Sequence, residues 1–142
     1  MDKETLHKEI DLIQGVINRM ASNSFLLKGW TVTIIVGVLA LTKDTIVTSD
    51  VTYFALILLI PLCVFWYLDA FFLHKEKCYR KLYKWVIENR PTSNEYKYDL
   101  NYKRFENDVD SIAKIMRTST IGVFYGIIAL ILIGITTYNI FQ

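Results

Sequence analysis

Three stretches of the chain are almost wholly apolar: Phe25 to Thr42, Val51 to Leu73 and Thr118 to Phe141. A bilayer core of roughly 30 Å takes about 20 helical residues to cross, and each stretch is near that length. A chain of 142 residues has too small an interior to enclose three such runs. Strands would leave open edges in lipid, so helices are the expected form. Between and before these runs the pattern changes. Leu6, Ile10, Ile13, Ile17 and Met20 recur at alternating spacings of four and three, a heptad-like seam on an amphipathic helix. Asp11, Gln14, Asn18 and Arg19 fall on its other faces, and Ala21-Ser22-Asn23-Ser24 is a weak point where it bends before the first apolar run. Cys78, Leu82, Trp85 and Val86 share a face beyond the second run, with Lys77, Lys81, Lys84 and Glu88 toward water. Pro91 restricts the residue before it, so that helix ends near Arg90. Thr92 to Arg104 is polar and reads as loop. A further helix starts near Asp108 or Asp110 and carries Val109, Ile112, Ile115 and Met116 into the third run.

The expected fold is therefore all-α, one integral membrane domain with three transmembrane helices extended into a cytoplasmic helical bundle. Residues 1–24 form an amphipathic cytoplasmic helix, 25–42, 51–73 and 118–141 the spans, and 74–117 the cytoplasmic helices and loop. A seam that lay flat on the bilayer would carry a lysine-rich polar face, and this one does not. Hydrophobic residues make up 53% of the chain, which decides little beside their distribution. Val38-Leu39-Ala40 imitates a leader-cleavage site. The preceding segment mixes Lys3, Lys8 and Arg19 with Asp2, Glu4, Glu9 and Asp11, so it lacks the short cationic region of a leader and no cleavage is expected.

Charge sets the orientation. Leu73 to Arg117 holds eleven lysines and arginines, and Lys43 to Asp50 holds one. The positive-inside rule places the N-terminus and central segment in the cytoplasm of a cell inner membrane, and the C-terminus outside. Tyr53, Phe54, Tyr138 and Phe141 then fall at the outer interface. Trp30, Trp66, Tyr67, Phe124 and Tyr125 cluster toward the inner one, as aromatic belts do.

Few residues offer chemistry. Asp69 is the acidic residue inside the spans, and an ionisable group there is a functional candidate by default. Lys28 lies at a similar depth on the first span. The two make a natural intramembrane ion pair, with Trp30, Trp66 and Tyr125 nearby. Three roles stay open for it: pinning the helices in register, a proton or ion relay, or separation, with Lys28 reaching lipid headgroups while Asp69 pairs with Arg117. Gly122 and Gly126 form a GxxxG that Ala129, Gly134 and Thr137 continue, and Gly29, Thr33, Gly37 and Ala40 form a related series. Small residues let helices approach closely in lipid, within one chain or between copies. Pro61 removes a backbone bond to Ile57 and is expected to kink the second span. Cys63 and Cys78 lie about 22 Å apart on one helix and cannot bridge. Neither shows a metal-ligand spacing with His7 or His74. No phosphate loop, zinc-protease motif, cysteine-rich metal set or nucleophile elbow is present, so no enzyme and no cofactor is expected. Lys75 to Arg90 is basic with aromatic residues interleaved, which anionic lipid explains more simply than nucleic acid.

Ile13-Gln14-Gly15-Val16-Ile17-Asn18-Arg19-Met20 followed by Asn23-Ser24-Phe25-Leu26-Leu27-Lys28-Gly29-Trp30 resembles the opening of a group of small bacterial three-span inner-membrane proteins. Phe65-Trp66-Tyr67-Leu68-Asp69 and Phe124-Tyr125-Gly126 fit the same group, which brings no settled activity with it. More loosely, the cytoplasmic helix, tight hairpin and returning helix are similar to SLATT-type membrane effectors of bacterial anti-phage systems, although a third span departs from their two-span pattern. The resemblance implies a self-associating effector or pore that perturbs the membrane when signalled. The alternative is a scaffold or accessory subunit that binds a cytoplasmic protein partner through its helical bundle. Three spans with one carboxylate offer too few polar contacts for a transporter.

Overall fold

A computed structural model of the chain describes residues 3–42 and 48–141. The connection read as Lys43 to Asp50 lies outside the described residues except for its last three, which already belong to the next helix. Two long helices dominate, α1 (Lys3–Thr42) and α2 (Thr48–Asn89), about 60 Å each at 1.5 Å per residue. A 3₁₀ helix (Tyr102–Asp108), a short α3 (Ile112–Met116) and α4 (Ser119–Ile140) complete the order. Every element among the described residues is helical.

Helix α1 runs unbroken through Ala21 to Ser24, because nothing there prevents helix: the stretch lacks glycine and proline, and the flanking seam and apolar run each hold a face against α2. Helix α2 begins earlier than Val51, since Thr48, Ser49 and Asp50 are residue types suited to a first helical turn. It continues through Pro61 and ends one residue before Arg90.

The two long helices form a hairpin with a different core at each end. In the polar half Ile13 and Ile17 of α1 meet Leu82 and Val86 of α2, and Leu100 and Phe105 close over them. In the apolar half Ile35, Leu58, Leu62, Ala70, Ile115, Ile121, Tyr125 and Leu132 form the core. Helices α1 and α4 both pack on α2 and meet each other through side chains, with Val32, Ile35, Val36 and Leu39 of α1 facing Ile128, Ile131 and Leu132 of α4 across a small apolar cavity. The three helices long and apolar enough to cross a membrane have only 11%, 22% and 22% of their apolar windows buried.

The third apolar helix does not extend unbroken into the polar half. The expected start near Asp108 or Asp110 is replaced by three pieces. Asn101 caps the 3₁₀ helix through Lys103 N–H, and Ser111 caps α3 through Lys114 N–H. Thr118 then adopts an extended conformation (φ −64°, ψ 154°) before α4. Its hydroxyl donates to Ile115 O at 2.7 Å, and its carbonyl accepts from Gly122 N–H at 2.7 Å. A Cβ at Gly122 would sit 3.0 Å from Met116 O, so glycine lets the first turn of α4 press against the end of α3. The side-chain caps of Asn101 and Ser111, with the extended backbone at Thr118, win over the apolar periodicity of Ile112, Ile115 and Met116.

Candidate functional site

Where the apolar half gives way to the polar half, three helices bring polar side chains to one point. Asp69 of α2 is fully buried. Lys28 of α1 places Nζ 2.6 Å from Asp69 Oδ2, close in distance though off a hydrogen-bond direction. The Ser24 hydroxyl donates to Asp69 Oδ1, and Lys28 Nζ donates to Ser24 Oγ at 3.1 Å. Ser24, Lys28 and Thr31 lie three or four residues apart on α1, which puts them on one face. Thr31 spends its hydroxyl on Leu27 O at 2.7 Å. From α4 the buried Tyr125 hydroxyl approaches Thr31 and Asp69 without forming an aligned hydrogen bond.

The surroundings of this pair differ from the aromatic belt read in the sequence. Tyr125 is fully buried and stacks on Trp66 with ring centroids 6.0 Å apart. Trp66 Nε1 donates to Met116 O at 3.0 Å, so both rings lock α4 and α3 onto α2 instead of facing outward. Trp30 is 59% exposed. Arg117 is exposed, and the Asp69 carboxylate is met by Lys28.

The glycines divide in the same way. Gly122 makes the close approach just described, to the backbone of Met116 and Arg117 and not to another long apolar helix. A Cβ at Gly29, Gly37, Gly126 or Gly134 would meet nothing within 4 Å. Ala129 packs at the edge of the apolar core, and Pro61 is partly buried in α2. Close helix packing within one chain therefore accounts for none of the open glycines.

A second polar centre lies at the far end of the polar half, and sequence reasoning missed it. Glu9 and Arg90 are each only 1% exposed. Arg90 donates Nε to Glu9 Oε2 at 2.7 Å and Nη2 to Glu9 Oε1 at 2.6 Å, a bidentate pair of the stronger charge-assisted kind. Its remaining N–H groups reach Ser93 O, Glu95 O and Tyr96 O, and Tyr98 N–H donates to Glu9 Oε1 at 3.1 Å. The loop after α2 is thus wound around one ion pair. Tyr96 and Tyr98 take left-handed backbone conformations, φ 55° and 58°, which non-glycine residues hold only when their surroundings dictate it. The Arg104 guanidinium lies 4.0 Å from the Tyr96 ring centroid and 5.0 Å from that of Trp85. Those π-faces share with the Asp99 carboxylate, 3.9 Å away, a charge whose Nε and Nη2 have no hydrogen-bond acceptor. One sequence signal existed: Glu9 falls three residues after Leu6 and four before Ile13, on the apolar seam itself.

Between the two centres, His74 is buried and its Nδ1 lies 3.0 Å from Asp110 O. A carbonyl only accepts, so Nδ1 carries the hydrogen. Nε2 lies 3.7 Å from Cys78 Sγ, four residues on along the same helix face. Burial pushes the Cys78 thiol up from its ordinary value against the opposing pull of Lys75, which keeps it a thiol. Burial also raises the Tyr79 phenol, with Tyr102 beside it. Among the described residues no group of three or more His, Cys, Asp or Glu side chains is placed to hold a metal ion.

Both centres hold elements together: one fastens three helices at the apolar boundary, the other fastens a loop across the hairpin's polar end. Comparison with protein-family models, with curated proteins and with solved structures returns no match, so these residues are read by their chemistry alone.

Proposed function

We propose that the protein is a non-enzymatic integral membrane protein of the bacterial inner membrane that acts by self-association. In this reading α1, α2 and α4 span the bilayer, the polar half lies in the cytoplasm, and the C-terminal end of α4 faces outside. The excess of lysine and arginine between Leu73 and Arg117 supports that orientation. The observation that carries the reading is the unused small-residue surface. Gly29, Gly37, Gly126 and Gly134 open outward with nothing within 4 Å of a Cβ, on helices whose apolar surface is mostly unburied. In lipid, close packing at such positions is what draws helices together. Assembly of copies gives a membrane-perturbing or pore-forming effector, of the kind that serves stress or anti-phage defence. The ionisable pair at one end of the spans gives a single chain no polar path across, so any pore would be built from several copies.

A second reading, a scaffold for a cytoplasmic protein partner, draws on the loop around Arg90, which holds Tyr96 and Tyr98 exposed in one backbone conformation. Induced expression with a membrane-potential dye separates the two. The effector reading expects depolarisation that falls at least several-fold when Gly126 and Gly134 are replaced by leucine at equal expression. Unchanged potential in a culture that accumulates the wild-type protein in its membranes would rule it out in favour of the scaffold.

A further inference from the structure

Beyond the apolar end of α2 runs a groove of about 390 Å³ whose two walls carry opposite charge. One wall is the basic face of α2, with Lys77, Lys81 and Lys84 at spacings of four and three and Arg80 beside them. The other is the segment before α3, with Asp108, Val109 and Asp110. Neighbours already answer part of this charge. Arg80 Nε lies 2.8 Å from Glu76 Oε1, and Lys114 Nζ lies 2.5 Å from Asp110 Oδ1. The hydrogen bond from Lys114, aided by Lys77, holds the Asp110 carboxyl below the usual carboxylate range. Lys84 meets Glu88 only at 3.7 Å, between exposed side chains, a contact worth little. Lys77 and Lys81 have no salt bridge among the described residues, and neither does Asp108. The groove thus keeps spare cations on one side and a spare carboxylate on the other.

From this opposition we infer that the groove seats a phospholipid headgroup that carries an ammonium beside its phosphate. Lys77 and Lys81 take the phosphate, and Asp108 takes the ammonium. The inference rests on the membrane reading above, which sets the depth. Lys77 and Lys81 lie four and eight residues past Leu73, about 6 and 12 Å along the helix axis at 1.5 Å per residue. Side chains on a helix lean toward its N-terminus, and on α2 that direction is the membrane. Both ammonium groups therefore reach back into the headgroup layer, as long cationic side chains do at an interface. His74 Nδ1, donating to Asp110 O at 3.0 Å, anchors the opposite wall at the same level. A purely anionic headgroup satisfies the lysines and leaves Asp108 facing like charge. A headgroup with both charges satisfies the two walls at once, and that difference is the source of its selectivity.

The test is lipid retention on the purified full-length protein, exchanged in detergent with equimolar phosphatidylethanolamine and phosphatidylglycerol and read by native mass spectrometry. Wild type is expected to keep phosphatidylethanolamine at least about threefold over phosphatidylglycerol. Lys77→Gln with Lys81→Gln should remove retention of both, and Asp108→Asn should turn the preference toward phosphatidylglycerol. Soluble O-phosphoethanolamine at millimolar concentration should raise the melting temperature of wild type by less than the intact lipid does. An equal shift by the soluble compound would identify a free metabolite and overturn the lipid assignment. Wild type that prefers phosphatidylglycerol, or an Asp108→Asn variant with unchanged preference, would overturn the two-charge assignment. Recovery of the protein in the soluble fraction without detergent would instead refute the membrane reading beneath it.

Discussion

Asp69 and Glu9 are carboxylates taken out of water, each answered by one long cation from across the hairpin. Their environments are not equivalent. Arg90 and Glu9 are closed off from solvent, and every oxygen of that carboxylate has a donor. Removing one partner of such a pair leaves a buried charge, at a cost of about 3–5 kcal/mol. Arg90→Met is therefore expected to lose stability of that order in chemical denaturation of the detergent-solubilised protein. Glu9→Gln combined with Arg90→Met should lose less than Arg90→Met alone. Lys28, whose side chain is 24% exposed, is the accessible member of its pair, and Asp69 the inaccessible one. Lys28→Met strands a carboxylate, whereas Asp69→Asn leaves a cation that can turn toward water or headgroups. Melting temperature in detergent should fall further for Lys28→Met than for Asp69→Asn, and the opposite ranking would mean that Lys28 is not what balances Asp69. At this scale the sequence exposed one pair and concealed the other. An aspartate in an apolar run is conspicuous, while Glu9 and Arg90, 81 positions apart, look like ordinary charges on helices rich in them.

Among elements, the hairpin of α1 and α2 was legible because period and length agree. Ile13 and Ile17 repeat with the helix, Leu82 and Val86 answer them, and Pro91 stops the run. The third apolar segment was misjudged in its approach. Ile112, Ile115 and Met116 continue its periodicity, yet Ser111 caps α3 and the extended backbone at Thr118 parts α3 from α4. Cap strength depends on where the chain must turn, and that is fixed by contacts such as His74 with Asp110 that no local pattern announces. The glycines give the element-level prediction. Gly122→Ala forces a Cβ to 3.0 Å from Met116 O and should destabilise the α3–α4 junction by about 1–3 kcal/mol, the cost of overpacking. Gly126→Ala meets nothing within the chain and should leave the monomer's melting temperature unchanged or slightly raised, since alanine is the better helix former. If assembly uses that face, Gly126→Leu should reduce crosslinked oligomers in membranes. Equal effects of the two alanine changes on monomer stability would refute this division of roles.

As a whole, the molecule is a long two-helix frame with a third apolar helix laid against one end and a tied loop at the other. Its apolar half buries little of itself and its polar half is densely fastened, and that asymmetry is what a membrane and a cytoplasm would each ask for. The sequence made the apolar half plain because lipid imposes length and composition on every span. In the polar half, where water imposes neither, it showed the hairpin seam of Ile13, Ile17, Leu82 and Val86 and left the tied loop and the approach to α4 obscure. The central claim is that three helices cross the inner membrane with the polar half inside. The most direct measurement is labelling with a membrane-impermeant maleimide of single-cysteine variants made in a Cys63→Ser, Cys78→Ala background, which removes the exposed Cys63 and the buried Cys78. Asn94→Cys, in the exposed loop, should label only after the cells are lysed, and Phe141→Cys, at the exposed end of α4, should label in intact spheroplasts. Labelling of both positions, or only of position 94, in intact spheroplasts would contradict the account.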